Sequence, residues 1–218
     1  DPGSPLLNAA GAMGAQGPDI SPDGKAVGWC AGGTGWVPGL PLGRTTARVY
    51  KRHLVMLETT LVSSNGAGVR GSGDAYDIKL AGGDGRWATF TYRPNPADVW
   101  NLYYGGTGLA DVMFRDTVNG GLWCLTNSLQ GGSGCRRGSS RYSWVDDANG
   151  LPTVACISNA DDLIPEKTTG NDDPIYIIPN TMGGSHYIRR AVGPNGPQNG
   201  NVVTVGIRNH RVAFETNA

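Results

Sequence analysis

Residues 86–125 constrain the fold more than any other stretch of this chain. They contain four short apolar and aromatic segments separated by turn residues, at 87–92, 99–104, 109–115 and 122–125. The first of these alternates with the period of two that is typical of a pleated strand. The Asn-Gly-Gly turn at 119–121 suits a hairpin, because asparagine and glycine tolerate a positive φ. This stretch therefore predicts consecutive antiparallel β-strands.

Similar segments recur along the rest of the chain. Residues 45–63 are rich in β-branched side chains and predict one long strand that is buried on both faces near its middle; a helical centre is the alternative. Further strands are predicted at 75–80, 141–145, 153–157, 175–178, 187–192, 202–208 and 211–215. About a dozen short strands and no convincing helix after the start predict an all-β fold, either an antiparallel sandwich or a jelly-roll-like domain.

The first 45 residues differ in composition from the remainder. Glycine, proline and alanine are spread through them, so we expect an extended, loose Gly/Pro-rich arm or linker at 1–45. A chain of 218 residues can bury one sizeable core. We therefore predict a single β-rich domain at 46–218.

Residues 20–29, ISPDGKAVGW, resemble the strand-turn-strand phrase of propeller repeats of the PD40 type, in which Pro-Asp-Gly forms the turn. Propeller proteins repeat such a phrase at a fixed interval. Only one copy of this phrase stands in the sequence. We therefore interpret these residues as a lone hairpin.

The charge balance argues against two classes of partner. The formal net charge is zero and the pI is about 7, so we expect no nucleic-acid partner and no attraction to an anionic membrane surface. No apolar run approaches the roughly 20 residues of a membrane span, so no span is expected in this chain.

Four cysteines allow three pairings. The spacer between Cys124 and Cys135 is polar and rich in glycine, so it can fold back and let these two thiols meet. We therefore predict a Cys124–Cys135 disulfide and, from the remaining pair, a Cys30–Cys156 disulfide; four buried free thiols are the alternative. Disulfides indicate an oxidising compartment, so the predicted location is extracellular: cell surface, secreted or virion.

The acidic loop at 159–173 is the one stretch with the composition of a metal site. Its carboxylates are hard oxygen ligands of the kind that calcium prefers: Asp161, Asp162, Glu166, Asp172 and Asp173. The spacing fits neither an EF-hand nor an RTX repeat, and a solvated loop is the alternative. Apart from this structural calcium, we predict no cofactor.

Aromatic side chains suggest a binding surface for a glycan. The candidates for a platform on which a sugar stacks are Trp100, Tyr103, Tyr104 and Trp144. The alternative is that these rings belong to the hydrophobic core, as aromatic residues in strands usually do.

Catalytic signals are sparse. Of the three histidines, His186 is the best placed for a site, because it follows the Gly-Gly-Ser sequence at 183–185. No G-x-S-x-G elbow of a serine hydrolase occurs. We therefore predict that the chain is not an enzyme, with a hydrolase as the third-ranked function.

Two classes of function remain ahead of that one. The first is a structural subunit of an extracellular assembly, a pilus-like surface filament or a virion, whose partners are copies of itself or other subunits. In support, residues 188–190 and 202–209 resemble the last strands of minor pilins and pseudopilins. The second class is a carbohydrate-binding or adhesive β-module that uses the aromatic side chains.

Overall fold

A computed structural model describes residues 16–32, 36–37, 46–65, 67–94, 109–126, 139–165, 171–182, 185–193 and 201–217. These residues form fourteen strands: β1 (Gln16–Ile20), β2 (Ala26–Gly32), β3 (Ala47–His53), β4 (Glu58–Leu61), β5 (Asp74–Ala81), β6 (Trp87–Arg93), β7 (Asp111–Asp116), β8 (Leu122–Cys124), β9 (Ser140–Ala148), β10 (Leu151–Ser158), β11 (Asp173–Ile178), β12 (Tyr187–Arg190), β13 (Asn201–Arg208) and β14 (Arg211–Asn217). One 3₁₀ turn, Gly83–Gly85, joins β5 to β6, and the described residues contain no α-helix. The prediction of an all-β fold is confirmed.

The strands pair in chain order into four antiparallel sheets. Sheet 1 contains β1 to β4, sheet 2 contains β5 to β8, sheet 3 contains β9 to β12, and sheet 4 contains β13 and β14. The first strand of each later sheet packs against the sheet before it: β5 against β1 to β3, β9 against β5 to β7, and β13 against β9 to β11. Each neighbouring pair of sheets is thus an antiparallel sandwich. The succession as a whole follows the arrangement of blades in a β-propeller.

Three apolar layers fill the spaces between the sheets. Ile78 and Phe90 are central to the layer between sheets 1 and 2, and Phe114 is central to the layer between sheets 2 and 3. Ile157 and Val205 contribute to the layer between sheets 3 and 4. The hydrophobic alternation within each strand thus serves two layers, one on either face of the sheet.

Two of the turns between first and second strands donate a backbone hydrogen bond to a carboxylate of the preceding sheet. Asp23, in the turn after β1, accepts a hydrogen bond through Oδ2 from the backbone N of Asp84 in the next sheet, at 2.9 Å. Asp146, near the end of β9, accepts one from the backbone N of Asn209 in the next sheet, at 2.6 Å. Carboxylates of one sheet therefore position the turn of the following sheet.

These turns correct our interpretation of residues 20–29 as a lone hairpin. The hairpin forms half of sheet 1, since β2 continues the ladder to β3 over seven residue pairs. Sheets 2, 3 and 4 contain equivalent turns at Gly83–Gly85, 149–150 and 209–210. Their sequences differ, yet Asp84, Asn149 and Asn209 all adopt a positive φ. The turns therefore repeat in backbone conformation and not in amino-acid sequence.

The prediction of a single long strand at 45–63 is wrong. The segment contains β3, a turn at 54–57 and β4, which pairs antiparallel with β3 from Tyr50↔Leu61 to His53↔Glu58. His53 Nδ1 accepts hydrogen bonds from the backbone N of Val55 at 3.3 Å and of Met56 at 3.1 Å. An imidazole therefore stabilises a turn that contains no conventional turn residue.

Part of the predicted arm at 1–45 belongs to the β-rich domain. Residues 16–32 form β1 and β2, and β2 pairs with β3, so the boundary expected after residue 45 passes through sheet 1. Residues 1–15 lie outside the described residues. So does the strand predicted at 99–104.

The predicted Cys30–Cys156 disulfide is wrong. Cys30 in β2 carries a free thiol, whose Sγ donates to the carbonyl oxygen of Ala75 at 3.2 Å. Cys156 lies in another layer, between sheets 2 and 3. Burial raises the pKa of the Cys30 thiol to about 11, helped by the charges of Asp77 and Asp74, so this thiol is unreactive near neutral pH. Cys135 lies outside the described residues, and the Cys124–Cys135 disulfide stays a prediction.

Asp116 stabilises the turn between β7 and β8, which confirms the turn predicted at 119–121. Its carboxylate accepts hydrogen bonds from the backbone N of Val118 at 2.9 Å and of Asn119 at 3.0 Å, and from Nη2 of Arg86 at 3.0 Å. Burial raises the pKa of Asp116, but these hydrogen bonds outweigh it and hold the pKa below its usual value.

A lowered pKa makes the contribution of Asp116 depend on pH. The stabilisation is present above the unfolded-state pKa of about 3.9, and it is lost as the pH falls through the lower pKa of the folded state. We therefore expect Asp116→Asn to lower the free energy of unfolding at neutral pH, by an amount that shrinks as the pH falls below about 4. Urea denaturation across this range, with the exposed Glu58→Gln as control, measures the effect. A destabilisation of constant size at every pH would contradict it.

Candidate functional site

The first strand of every sheet carries one extra residue opposite its partner strand. These β-bulges fall at equivalent places, between residues 16 and 19 of β1, 76 and 79 of β5, 141 and 144 of β9, and 202 and 204 of β13. In the first three sheets the bulge contains a residue with positive φ: Gly17 at 55°, Asp77 at 58° and Tyr142 at 51°. A bulge bends its strand and redirects the side chains beside it.

The four bulges line one cavity of about 310 Å³, which we call the first-strand cavity. Its lining comes from β1, β5, β9 and β13: Gly17, Asp77, Ile78, Lys79, Tyr142, Ser143, Trp144, Val203, Thr204 and Val205. All four sheets therefore contribute to it through their first strands. A second cavity of about 390 Å³ lies between Trp144 and sheet 4.

Lys79 links three of the sheets at the wall of the first-strand cavity. Its Nζ lies 3.5 Å from Oδ1 of Asp19 in β1 and 4.4 Å from the ring centroid of Trp144 in β9. The other carboxylate oxygen of Asp19 accepts a hydrogen bond from the backbone N of Leu80 at 2.7 Å. The charge of Lys79 is therefore balanced within the protein, and its ammonium fixes one face of the indole.

Two polar groups in this cavity lack a partner among the described residues. The Oγ of Ser143 makes no hydrogen bond although Ser143 is only 1% exposed. The half-buried carboxylate of Asp77 receives no hydrogen bond from a described side chain or backbone group. Burial raises the pKa of Asp77, and the charge of Lys79 opposes this only in part. The buried Ser143 hydroxyl has no described partner and the half-buried Asp77 carboxylate is only partly solvated, so a ligand can supply a hydrogen bond to each.

The predicted aromatic platform lies only in part within the described residues. Trp144 lines the first-strand cavity and is 41% exposed, as the prediction requires of a ring that stacks on a ligand. Trp100, Tyr103 and Tyr104 lie outside the described residues. Our sequence analysis missed Asp77 and Ser143, because nothing in the sequence shows that the first strands of separate sheets share one cavity.

The carboxylates of the predicted calcium loop have other partners in the structure. Asp172 forms an ion pair with Arg141 at 2.8 Å, and Asp173 forms one with Arg190 at 2.5 Å. Within the described ranges, no three acidic, histidine or cysteine side chains gather as metal ligands, so Asp161 and Asp162 do not complete a site there. Glu166 lies outside those ranges, and the structural calcium stays a prediction.

His186, the histidine best placed by sequence for a site, has both ring nitrogens engaged. Its Nδ1 accepts a hydrogen bond from the backbone N of Asn180 at 3.0 Å, and its Nε2 lies 3.2 Å from the carbonyl oxygen of Cys124. Burial lowers the pKa of His186, and the Cys124 carbonyl opposes that shift. This geometry favours a neutral imidazole that joins the turn before β12 to β8.

Among the described residues, no helix is long and apolar enough to cross a membrane. No protein-family model and no curated protein matches the chain. The chain is similar to the solved structure of Pyrococcus horikoshii acylaminoacyl peptidase in its orthorhombic crystal form, with 15% identity and a TM-score of 0.40. A second similar structure is an acylaminoacyl peptidase in complex with Z-Gly-Gly-Phe-chloromethyl ketone, with 15% identity and a TM-score of 0.38.

Each of these matches covers 92% of this chain and 35% of the other, so the chain spans about a third of their length. At this similarity we draw no conclusion from them about function.

Proposed function

We propose that this chain is a non-enzymatic binding module that holds a carbohydrate in the first-strand cavity. The observation that carries the proposal is the meeting of an exposed indole, Trp144, with two unpartnered polar groups, Ser143 and Asp77, in one cavity. Aromatic faces stack on the apolar faces of sugar rings, while hydroxyl and carboxylate groups bind the sugar hydroxyls. A volume of about 310 Å³ is at the lower end for small-molecule sites, which suits a mono- or disaccharide.

An extracellular location accords with this proposal but loses one of its supports, since Cys30 forms no disulfide. The alternative, a structural subunit of a filament or virion, rests on the sequence alone. Electron microscopy of material from the natural source distinguishes the two. Ordered polymers built from this chain would favour the subunit, whereas a dispersed monomer that binds glycans would favour the module.

The indole of Trp144 provides the sharpest test of carbohydrate binding. We expect the wild-type chain to bind a subset of sugars on a glycan array. We expect Trp144→Ala to weaken that binding by about tenfold, because an aromatic contact is worth up to about 1.5 kcal/mol beyond the area it buries, and about 1.4 kcal/mol corresponds to a tenfold change in affinity. Isothermal titration with the best array ligand measures the change. Tyr187→Ala is the matched control, because Tyr187 is also an exposed aromatic residue, 54% exposed, but lies outside the cavity.

Circular dichroism of both variants verifies that each one keeps the β-fold. If no sugar binds the wild-type chain, or if both variants bind equally well, the carbohydrate proposal is wrong.

A further inference from the structure

We propose that the ligand of the first-strand cavity carries a protonated amine, which Asp77 binds. This inference deepens the proposed function and rests on it for the location of the site. We infer the amine from the charged and polar groups of the cavity wall, independently of whether the ligand contains a sugar ring. An amino sugar satisfies both proposals at once.

The first argument is the unpaired carboxylate of Asp77. This side chain lines the cavity, is half-buried, and receives no hydrogen bond from the described residues. Half-burial removes part of the water around this carboxylate, and no hydrogen bond from the described part of the protein replaces it. A cation that enters the cavity provides the missing partner, and hydrogen bonds between charged groups are stronger than those between neutral ones.

The second argument is the charge around Asp77. Lys79 also lines the cavity, but its ammonium lies 3.5 Å from Asp19 and over the ring of Trp144, so its charge is already paired. Arg141, the residue before the bulge of β9, is ion-paired with Asp172 at 2.8 Å. Among the described residues that line or adjoin the cavity, the cations are therefore paired with other carboxylates, and Asp77 is the carboxylate without an ion pair of its own.

The third argument is the set of acceptors beside Asp77. An ammonium group has three N–H donors. The cavity wall contains the Asp77 carboxylate, Ser143, whose buried Oγ has no described hydrogen-bond partner, and the ring of Tyr142, which is 51% exposed and has the guanidinium of Arg141 5.7 Å from its centroid on one face. Aromatic faces attract cations, as Lys79 over Trp144 already illustrates in the same cavity. Three acceptors of different kinds can therefore receive the three donors.

The test uses isothermal titration of the full chain with four probes: glucosamine, glucose, N-acetylglucosamine and benzylamine. In wild type we expect glucosamine to bind at least about tenfold more tightly than glucose, the factor that corresponds to one charge-assisted hydrogen bond. We expect N-acetylglucosamine, whose nitrogen is uncharged, to bind like glucose. In Asp77→Asn the preference for glucosamine should fall below about threefold.

Asp77→Asn should fold normally. Because the pKa of Asp77 is raised in the folded state, the charged carboxylate destabilises the fold above that pKa, and a neutral side chain removes this cost. Asparagine also tolerates the positive φ of 58° at this bulge. We therefore expect a Tm at pH 7 no lower than that of wild type. Glu58→Gln, which removes an exposed carboxylate in β4, is the control and should keep the tenfold preference.

The outcomes separate this inference from the proposed function. Equal binding of glucose and glucosamine by wild type would support a carbohydrate site and overturn the amine. Binding of benzylamine that Asp77→Asn abolishes, with no sugar bound, would support the amine and overturn the carbohydrate. A glucosamine preference that survives in Asp77→Asn would overturn the role of Asp77, and no binding of any probe would overturn both proposals.

Discussion

Phe114→Ala is expected to lower the free energy of unfolding by about 3–5 kcal/mol, the usual cost of removing a buried phenylalanine ring. Phe114 is fully buried between sheets 2 and 3, and its ring stacks on Trp87 at 5.2 Å and lies 5.8 Å from Trp123. Alanine would remove both ring contacts and leave a cavity that two strands of a rigid sheet cannot close. Urea denaturation followed by tryptophan fluorescence measures the loss, because two indoles report directly on this layer.

Val118→Ala is the matched control for that experiment. Phe114 lies within β7, and Val118 lies just after the same strand. The Val118 side chain is 68% exposed, so its truncation should change the free energy of unfolding by less than about 0.5 kcal/mol. A loss below about 1 kcal/mol for Phe114→Ala would mean that sheets 2 and 3 do not pack through this residue.

Lys51→Met is expected to lower the free energy of unfolding by about 1–3 kcal/mol. The buried ammonium of Lys51, in β3, donates to Oγ1 of Thr117 at 2.7 Å and to the carbonyl oxygens of Asp84 at 3.0 Å and Gly85 at 3.3 Å. Burial lowers the pKa of Lys51, and the charges of Asp84 and Asp116 oppose that shift. Methionine fills a similar volume but removes the ammonium donor; the Gly85 carbonyl keeps the Thr117 hydroxyl as a donor at 3.1 Å, so the cost arises mainly at Asp84 and Thr117.

Lys25→Met is the matched control for Lys51→Met. Lys25 lies in the turn after β1, where its side chain is 54% exposed and forms ion pairs with Asp23 and Asp84 at 3.6 Å each. Exposed ion pairs contribute little, so we expect a change of less than about 1 kcal/mol. Thermal and urea unfolding of both variants provide the comparison. Equal effects at the two lysines would contradict the bridge from sheet 1 to sheet 2.

The strands of sheet 2 could be predicted closely from the sequence. The segments expected at 87–92 and 122–125 correspond to β6 (Trp87–Arg93) and β8 (Leu122–Cys124). Both are short, alternate or cluster in hydrophobicity, and follow a glycine-containing turn. Local propensity and tertiary structure agree there, and prediction works where they agree.

The turn at 54–57 could not be predicted in the same way. Its residues, Leu-Val-Met-Leu, are all apolar and carry no turn signal, yet Leu57 adopts a φ of 57°. The turn depends on hydrogen bonds to His53 and on the pairing of β4 with β3. Tertiary contacts thus override local preference, which is favourable for a continuous strand.

The repetition of four similar sheets could not be predicted from the sequence, because the repeat is long and its amino-acid sequence varies. Asp23 and Asp84, which occupy equivalent turns, lie 61 residues apart, beyond the 20–50 residues of common repeats. The turns share residues that accept a positive φ, and a search for that property at this interval would have found them. For the candidate site, Trp144 could be predicted as an exposed ring, whereas Asp77 and Ser143 depend on bulges that alternation does not predict.

The first-strand cavity has a consequence for how the molecule opens. Sheets 1 and 4 are the first and last described sheets of a series in which each sheet packs on its neighbours in sequence, yet Gly17 and Val203 line the same cavity. In such a series, stability is close to a sum of nearest-neighbour terms, so an outer sheet can unfold locally while the others persist. A ligand that contacts all four first strands would connect sheet 1 to sheet 4. Its occupancy would convert independent fraying into one cooperative transition.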